Sequence, residues 1–270
     1  SSRSNPVTYI KAYDDIRNLY AKHPLSSARA YKAKHFSFNT DGGRCEHCSG
    51  EGEVTIEMQF MANVHLECEH CKGKRIKDEI LEVKFQNKNI ADILDMTINE
   101  SIEFFQKAEQ TKISKRLQPL QDVGLGYIHL GQSSSTLSGG EAQRVKLASF
   151  LGKGKREGQK FFIFDEPTTG LHFHDIKKLL KSFNALIENG HTIVVIEHNI
   201  DVIKCADWLI DIGKEGGNKG GELIFQGLPE DIIYCKQSAT GQFLKQKLKH
   251  FLDEGGLNLI TCASGLTVTT

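Results

Sequence analysis

Leu137-Ser138-Gly139-Gly140-Glu141-Ala142-Gln143-Arg144-Val145-Lys146-Leu147-Ala148 is followed by Phe161-Phe162-Ile163-Phe164-Asp165-Glu166-Pro167, and these two stretches decide the fold. The first is a polar, glycine-bearing turn leading into apolar residues at 142, 145, 147, 148 and 151, the spacing of a one-faced helix. Ser138, Gly139 and Gly140 therefore sit at a helix N-terminus, where unpaired backbone N–H groups and the positive end of the helix dipole suit phosphate. The second is a continuous apolar run of four, which predicts a strand buried on both faces of its sheet. It ends in the carboxylates Asp165 and Glu166, where such a strand emerges. Thr192-Ile193-Val194-Val195-Ile196 predicts a second strand of this kind, delivering Glu197 and His198 to the same edge, where ligands of parallel α/β sheets gather. Together these residues predict a site for a metal-bound phosphate and a water.

A glycine-led Leu-Ser-Gly-Gly-Glu turn, a hydrophobic strand ending in Asp-Glu-Pro-Thr and a strand with a terminal histidine, in this order, resemble the ATP-binding-cassette (ABC) ATPases. The longer text is narrower: residues 123–128, 136–148, 165–173 and 195–199 are similar to the C-terminal half of the UvrA family, the damage-recognition ATPases of bacterial nucleotide excision repair. The resemblance implies an α/β fold: a partial ABC-ATPase, P-loop NTPase-like, with a helical signature subdomain and an inserted four-cysteine zinc module. It implies ATP and Mg2+ as ligands. Asp165 would hold magnesium through its water shell, Glu166 would orient and activate the attacking water, and His198 would contact the γ-phosphate. Ser138, Gly139, Gly140 and Glu141 form the signature turn, which in ABC proteins caps the nucleotide of the facing unit. A second ABC unit or a UvrA dimer is therefore an implied partner, alongside double-stranded DNA and a UvrB-like protein. No Gly-x-x-x-x-Gly-Lys-Ser/Thr occurs in the sequence, so this stretch alone is expected to bind ATP poorly and to hydrolyse it at background rate. Arg3-Ser4-Asn5-Pro6-Val7-Thr8-Tyr9 resembles a UvrA segment downstream of that family's phosphate loop, and the chain is expected to begin inside a nucleotide-binding unit.

Seven cysteines occur in 270 residues. Four form a near repeat, Cys45-Glu46-His47-Cys48-Ser49-Gly50 and Cys68-Glu69-His70-Cys71-Lys72-Gly73, and two thiolate pairs from matching tight turns complete a tetrahedral zinc shell. Iron is the alternative metal. A closed four-sulfur shell leaves no position for catalysis, and His47 and His70 are spare. The glycine after each second cysteine allows the positive φ that turns backbone N–H groups towards sulfur. Val54, Ile56, Met58 and Phe60 alternate with polar residues and predict a strand that returns through Val64 to Leu66, a hairpin presenting both knuckles at one end. Arg44, Lys72, Lys74 and Arg75 flank the shell and make the local case for phosphate and DNA contact, with Lys77 nearby. The charge balance, 34 basic against 34 acidic side chains, gives no such argument for the chain as a whole.

In order along the chain, the expected divisions are a basic N-terminal segment (1–41), the zinc module (42–76), a helical signature subdomain (77–157), the ATPase core (158–238) and a C-terminal helix and tail (239–270). Ile80, Leu81, Val83 and Phe85 suggest a strand. Residues 89–96 and 98–108 read as helices, the second opened by a Thr97/Glu100 capping box. A third helix holds Leu117 and Leu120, its continuity limited by Pro119. A glycine-rich loop covers 152–158. Ile176 to Leu186 marks a helix closed by Asn189-Gly190, and residues 208–212 and 223–225 are strands. Pro229 begins a final helical region, and the tail from 253 shows no usable period. No apolar run reaches the length of a bilayer span and no signal-peptide core is evident, so a cytoplasmic protein without a membrane partner is expected. Two other readings compete. One is another ABC-class subunit, against which the four-cysteine insertion argues. The other is a non-enzymatic zinc-knuckle interaction module, since Cys45-x-x-Cys48-x-Gly50-x-Gly52 also resembles the knuckles of DnaJ chaperones.

Overall fold

The computed structural model describes residues 4–56, 58, 63–152, 158–213, 220–253 and 266–269. It divides into two units, one built from residues 1–121 and 125–138, the other from 122–124 and 139–270.

The first unit opens with three short helices, α1 (Pro6–Tyr9), α2 (Ala12–Ala21) and α3 (Pro24–Ala28). Asn5 caps α1 in a reciprocal capping box with Thr8, and Pro24 starts α3 rather than interrupting a helix. The basic residues here are partly paired. Arg17 bonds Asp14, Arg29 reaches Glu82 at 2.6 Å, and Asp15 takes Lys112 at 2.8 Å and Arg116 at 3.2 Å. Strands β1 (Glu53–Ile56) and β2 (Val64–Glu67) pair antiparallel from Glu53↔Glu67 to Ile56↔Val64, as the alternation predicts. Phe60, expected in the outgoing strand, lies outside the described residues.

Residues 78–85 correct the sequence reading. Instead of a strand, Asp78–Leu81 forms helix α4, and Phe85 pairs only with Lys88 across a turn in which Gln86 and Asn87 take positive φ. Two acids in the first turn favour the helix, and the adjacent Ile80 and Leu81 both point into the core, which a strand cannot arrange. Helices α5 (Ile90–Asp95), α6 (Ile98–Lys107) and α7 (Thr111–Asp122) follow. Asn89 with Asp92, and Thr97 with Glu100, close capping boxes. Pro119 sits inside α7 without ending it. Two buried tyrosines fasten the unit: Tyr13 donates to the Phe36 carbonyl and Tyr20 to the Lys88 carbonyl, both at 2.7 Å.

The second unit holds the sheet. Helix α8 (Gly139–Leu151) leads to β3 (Phe161–Asp165), α9 (Phe173–Glu188) and β4 (Thr192–Ile196). Then come α10 (Ile200–Ile203), β5 (Trp208–Gly213), β6 (Glu222–Gly227), α11 (Pro229–Ile232), α12 (Ala239–Asp253) and β7 (Leu266–Thr269). Strand order is β3-β4-β7-β5-β6; the first four run parallel and β6 pairs antiparallel with β5. Strand β7 is a second correction, because the tail thought to carry no regular structure supplies the strand between β4 and β5. The loop expected over 152–158 falls mostly on residues 153–157, outside the described ones.

A third correction concerns β3. Phe162 and Phe164 face helices, with ring centroids 5.0 Å from Phe150 of α8 and 4.9 Å from Phe183 of α9 respectively. Phe161 and Ile163 point to the other face and remain 64% and 62% exposed. The four-residue apolar run is therefore covered on one side, because α8 and α9 pack on the same face. Helix α8 buries one face, Gly140, Arg144, Val145, Leu147 and Ala148, and that face carries Arg144 among its apolar residues.

Candidate functional site: an acid and a histidine on adjacent strands

In the second unit, β3 and β4 pair parallel with Asp165 opposite Ile196. The residues after each strand therefore emerge side by side at one edge of the sheet. Glu166 donates its backbone N–H to the Ile196 carbonyl at 2.9 Å, and its own carbonyl accepts from Thr169 at 3.1 Å. It holds a left-handed φ of 44°, unusual for a side chain of its size. Its Oε1 lies 3.5 Å from Nε2 of His198, and both side chains are solvent-accessible. The expected acid and histidine are thus brought together.

The signature helix is fixed to this edge by side chains that sequence reasoning passed over. Gln143 bridges the end of β3, accepting from the Asp165 N–H and donating to the Asp165 carbonyl, both at 3.1 Å. Arg144 donates to the Pro167 carbonyl at 2.7 Å from a buried position. A side chain at Gly140 would lie 3.6 Å from the Glu166 carbonyl oxygen and 3.7 Å from that of Thr169, so the helix start packs against the turn. Gly139 is exposed with open space beside it, Ser138 immediately precedes the helix, and Glu141 lies in its first turn. Gln143 and Arg144 stand among other polar residues of the helix, Glu141 and Lys146, so nothing in the sequence singles them out, and what they hold is decided by the fold. Asp165 is exposed at the strand end. Glu197, expected at the open edge as part of the ligand site, instead turns inward and is 3% exposed.

The four knuckle cysteines of the first unit converge, their sulfurs all within 4.8 Å of one another and buried. Cys45 and Cys68 are 3.9 Å apart, Cys48 and Cys71 3.6 Å. A tetrahedral shell with Zn–S of about 2.3 Å requires sulfurs about 3.8 Å apart, so the cluster fits a four-coordinate metal centre. Gly50 and Gly73, the glycines after the second cysteine of each knuckle, take φ of 83° and 72°, as the knuckle reading requires, and the N–H of Gly52 donates to the Cys48 sulfur at 3.3 Å. Burial pushes the thiols of Cys48 and Cys71 up. Burial opposes ionisation of Cys68 too, but the N–H groups of Cys71 and His70 and the ring of His47 outweigh it and bring that thiol to about 6. His47 and His70 stack at 4.4 Å, with His47 Nδ1 3.6 Å from the Cys68 sulfur, outside the four-sulfur set.

Beside this cluster, Lys72, Lys74 and Arg75 line an open groove of ≈ 540 Å³ shared with Asp92, Asp95, His129 and Gln132. Lys72 and Lys74 are exposed. Arg75 donates to the Gly131 carbonyl at 2.8 Å and stacks over Phe38; Arg44 pairs with Asp41 at 2.6 Å and Lys77 with Glu46.

An acid after one parallel strand, a histidine after the next and a glycine-led helix tied to the first define one portion of an ABC-type nucleotide-binding fold. A family model described as ABC transporter matches residues 47–169. The chain is 53% identical over 247 residues to UvrABC system protein A of Aquifex aeolicus and 54% identical over 246 residues to that of Clostridium perfringens. These alignments cover 92% and 91% of the chain, and 26% of each relative. The crystal structure of UvrA2 from Deinococcus radiodurans matches with a TM-score of 0.80 at 43% identity, covering 91% of this chain and 30% of that one. The chain belongs to the UvrA family and spans about a quarter of the length of the curated relatives it matches.

Proposed function

We propose that this chain is the signature-bearing and acid-bearing portion of a UvrA-type ATPase that recognises damaged double-stranded DNA in nucleotide excision repair and passes it to a UvrB-like partner. The observation that carries the reading is the Glu166–His198 pair at the carboxyl ends of adjacent parallel strands, joined to the signature helix through Gln143. ATP bound with Mg2+ would supply the phosphoryl group, with Asp165 on the metal side. Glu166 has an open carboxylate to orient a water, and His198 has an open ring to meet the γ-phosphate. Ser138, Gly139, Gly140 and Glu141 serve the nucleotide of a facing ABC unit. The four cysteines hold zinc as a structural ion, and Lys72 and Lys74, with Arg44 and Arg75 beside them, supply phosphate contacts to DNA. The five-part division at 41, 76, 157 and 238 is kept as the functional one, in a cytoplasmic protein. No helix among the described residues is long and apolar enough to cross a membrane.

Grafting residues 3–250 into the Aquifex aeolicus protein in place of the homologous stretch tests the reading. The graft is expected to hydrolyse ATP and Glu166→Gln to abolish turnover, while the 270-residue chain alone stays at background. Robust turnover by the chain alone, lost in Glu166→Gln, overturns the half-site reading. Metal analysis is expected to give one zinc per chain; visible charge-transfer bands of iron overturn that assignment. For DNA, Lys72→Ala and Lys74→Ala in the graft are expected to weaken duplex binding and to flatten the log–log salt dependence by about one for each lost phosphate contact. An unchanged slope removes both lysines from the interface.

A further inference from the structure

Glu197 is a buried carboxylate that the proposed chemistry does not use, and its surroundings explain why. Its Oε1 accepts from the backbone N–H of Thr168 at 2.9 Å and from the Thr168 hydroxyl at 2.6 Å. Its Oε2 accepts from the backbone N–H groups of His198 at 3.2 Å and Asn199 at 3.3 Å. An ionised carboxylate offers about four lone-pair sites, so all of its acceptor capacity is taken. No site is left for a metal or a water, which excludes Glu197 from the ligand set that its position after β4 suggested.

The donors come from two different loops. Thr168 belongs to the turn after β3, two residues beyond Glu166; His198 and Asn199 begin the turn after β4. One carboxylate therefore spans the two turns with one oxygen on each. Asn199 also caps α10 through the Asp201 N–H at 2.9 Å, which extends the tie to the next helix. Beyond this clamp, the turn bearing Glu166 is held to β4 by the Glu166 N–H to Ile196 carbonyl bond. The exposed Glu166–His198 contact at 3.5 Å is too weak to set its own geometry.

We propose that Glu197 is a positioning residue that fixes the distance between Glu166 and His198 by clamping the turns that carry them. This goes beyond the assignment of those two residues and rests on it only for its functional meaning, since the geometry can be read without nucleotide. Glutamine at 197 keeps size and shape but offers one acceptor oxygen, and its NH2 must face either the N–H groups of His198 and Asn199 or the N–H of Thr168, so one turn loses its acceptor.

The test uses NMR of the 270-residue chain at fixed pH, with His198 ring signals assigned through His198→Gln. In the native background Glu166→Gln is expected to shift the His198 ring resonances; in the Glu197→Gln background that shift is expected to vanish. Amide exchange at Thr168 or at His198 and Asn199 should quicken about tenfold, with exchange in the core of α9 unchanged. If Glu197→Gln fails to fold, Thr168→Val and Thr168→Ser decide. The valine variant, which lacks the hydroxyl donor, should weaken the Glu166-dependent shift, and the serine variant, which keeps it, should restore it. An equal Glu166-dependent shift in the native and Glu197→Gln backgrounds, or in the native and Thr168→Val backgrounds, overturns the proposal. Neither readout involves ATP, so failure of the ATPase reading is separately visible in the graft assay.

Discussion

Glu166 shows how a single backbone angle separates function from stability. A left-handed φ of 44° in a long side chain stores strain of roughly 1 kcal/mol, held in place by the bonds to Ile196 and Thr169. Glu166→Gly is therefore expected to raise stability by about 1 kcal/mol while removing the carboxylate, whereas Glu166→Gln keeps the strain and leaves the melting temperature unchanged. Thermal unfolding of the three proteins checks this, and a destabilised glycine variant contradicts it. Gly50 is the opposite case. Its φ is 83°, and a Cβ there would stand 1.9 Å from the Phe38 carbonyl oxygen. Backbone cannot yield that distance cheaply, so Gly50→Ala should cost on the order of 3 kcal/mol and reduce metal retention, measured by unfolding and metal content.

The elements differ in what holds them. The β1–β2 hairpin is largely exposed, and Val54 is the partly buried apolar residue packed against the cysteines. Two strands alone are marginal in water, so the hairpin is expected to depend on a metal held by the four cysteines. Chelation under reducing conditions is expected to remove amide protection over 53–56 and 64–67 while β4 and α9 keep theirs; retained protection would mean that the hairpin stands without metal. Helix α6 depends on a different group. The Thr97 N–H and hydroxyl bond the Glu100 carboxylate and hold its pKa below the ordinary value. A depressed carboxylate contributes stability above the unfolded-state pKa and loses it as pH falls through the folded value. The stability gap between the native protein and Glu100→Ala should therefore be full at neutral pH and close on acidification below the usual carboxylate range. A gap constant with pH would contradict the cap's role.

At the scale of the molecule, the sheet of the second unit covers one face with α8 and α9 and leaves apolar side chains on the other, Phe161 and Ile163 on β3 and Trp208 on β5. Burying little, these residues add little to stability, but together they make an adhesive patch. Phe161→Ser with Ile163→Ser is expected to lower hydrophobic-dye binding and self-association with less than about 1 kcal/mol lost. A large loss of stability would show that this face is buried in solution.

Features whose physics is local are legible in the residues alone. The two knuckles with their glycines, the capping box at Thr97, the helix closed by Asn189 and Gly190, and the parallel strands that bring Glu166 and His198 to one edge all follow from spacing and residue type. The tertiary structure alone decided what depends on neighbours distant in the chain. An apolar run reads the same whether one face or both are covered, so the exposure of Phe161 was not legible. Ile80 and Leu81 fit strand or helix until the core claimed both. Residues 266–269 alternate as Leu-Thr-Val-Thr, a run too short to declare a strand on its own, and they are a strand because β4 and β5 present backbone partners on either side. Glu197 looked like a ligand for the same reason: one letter shows a carboxylate, and only the fold shows that four donors already occupy it.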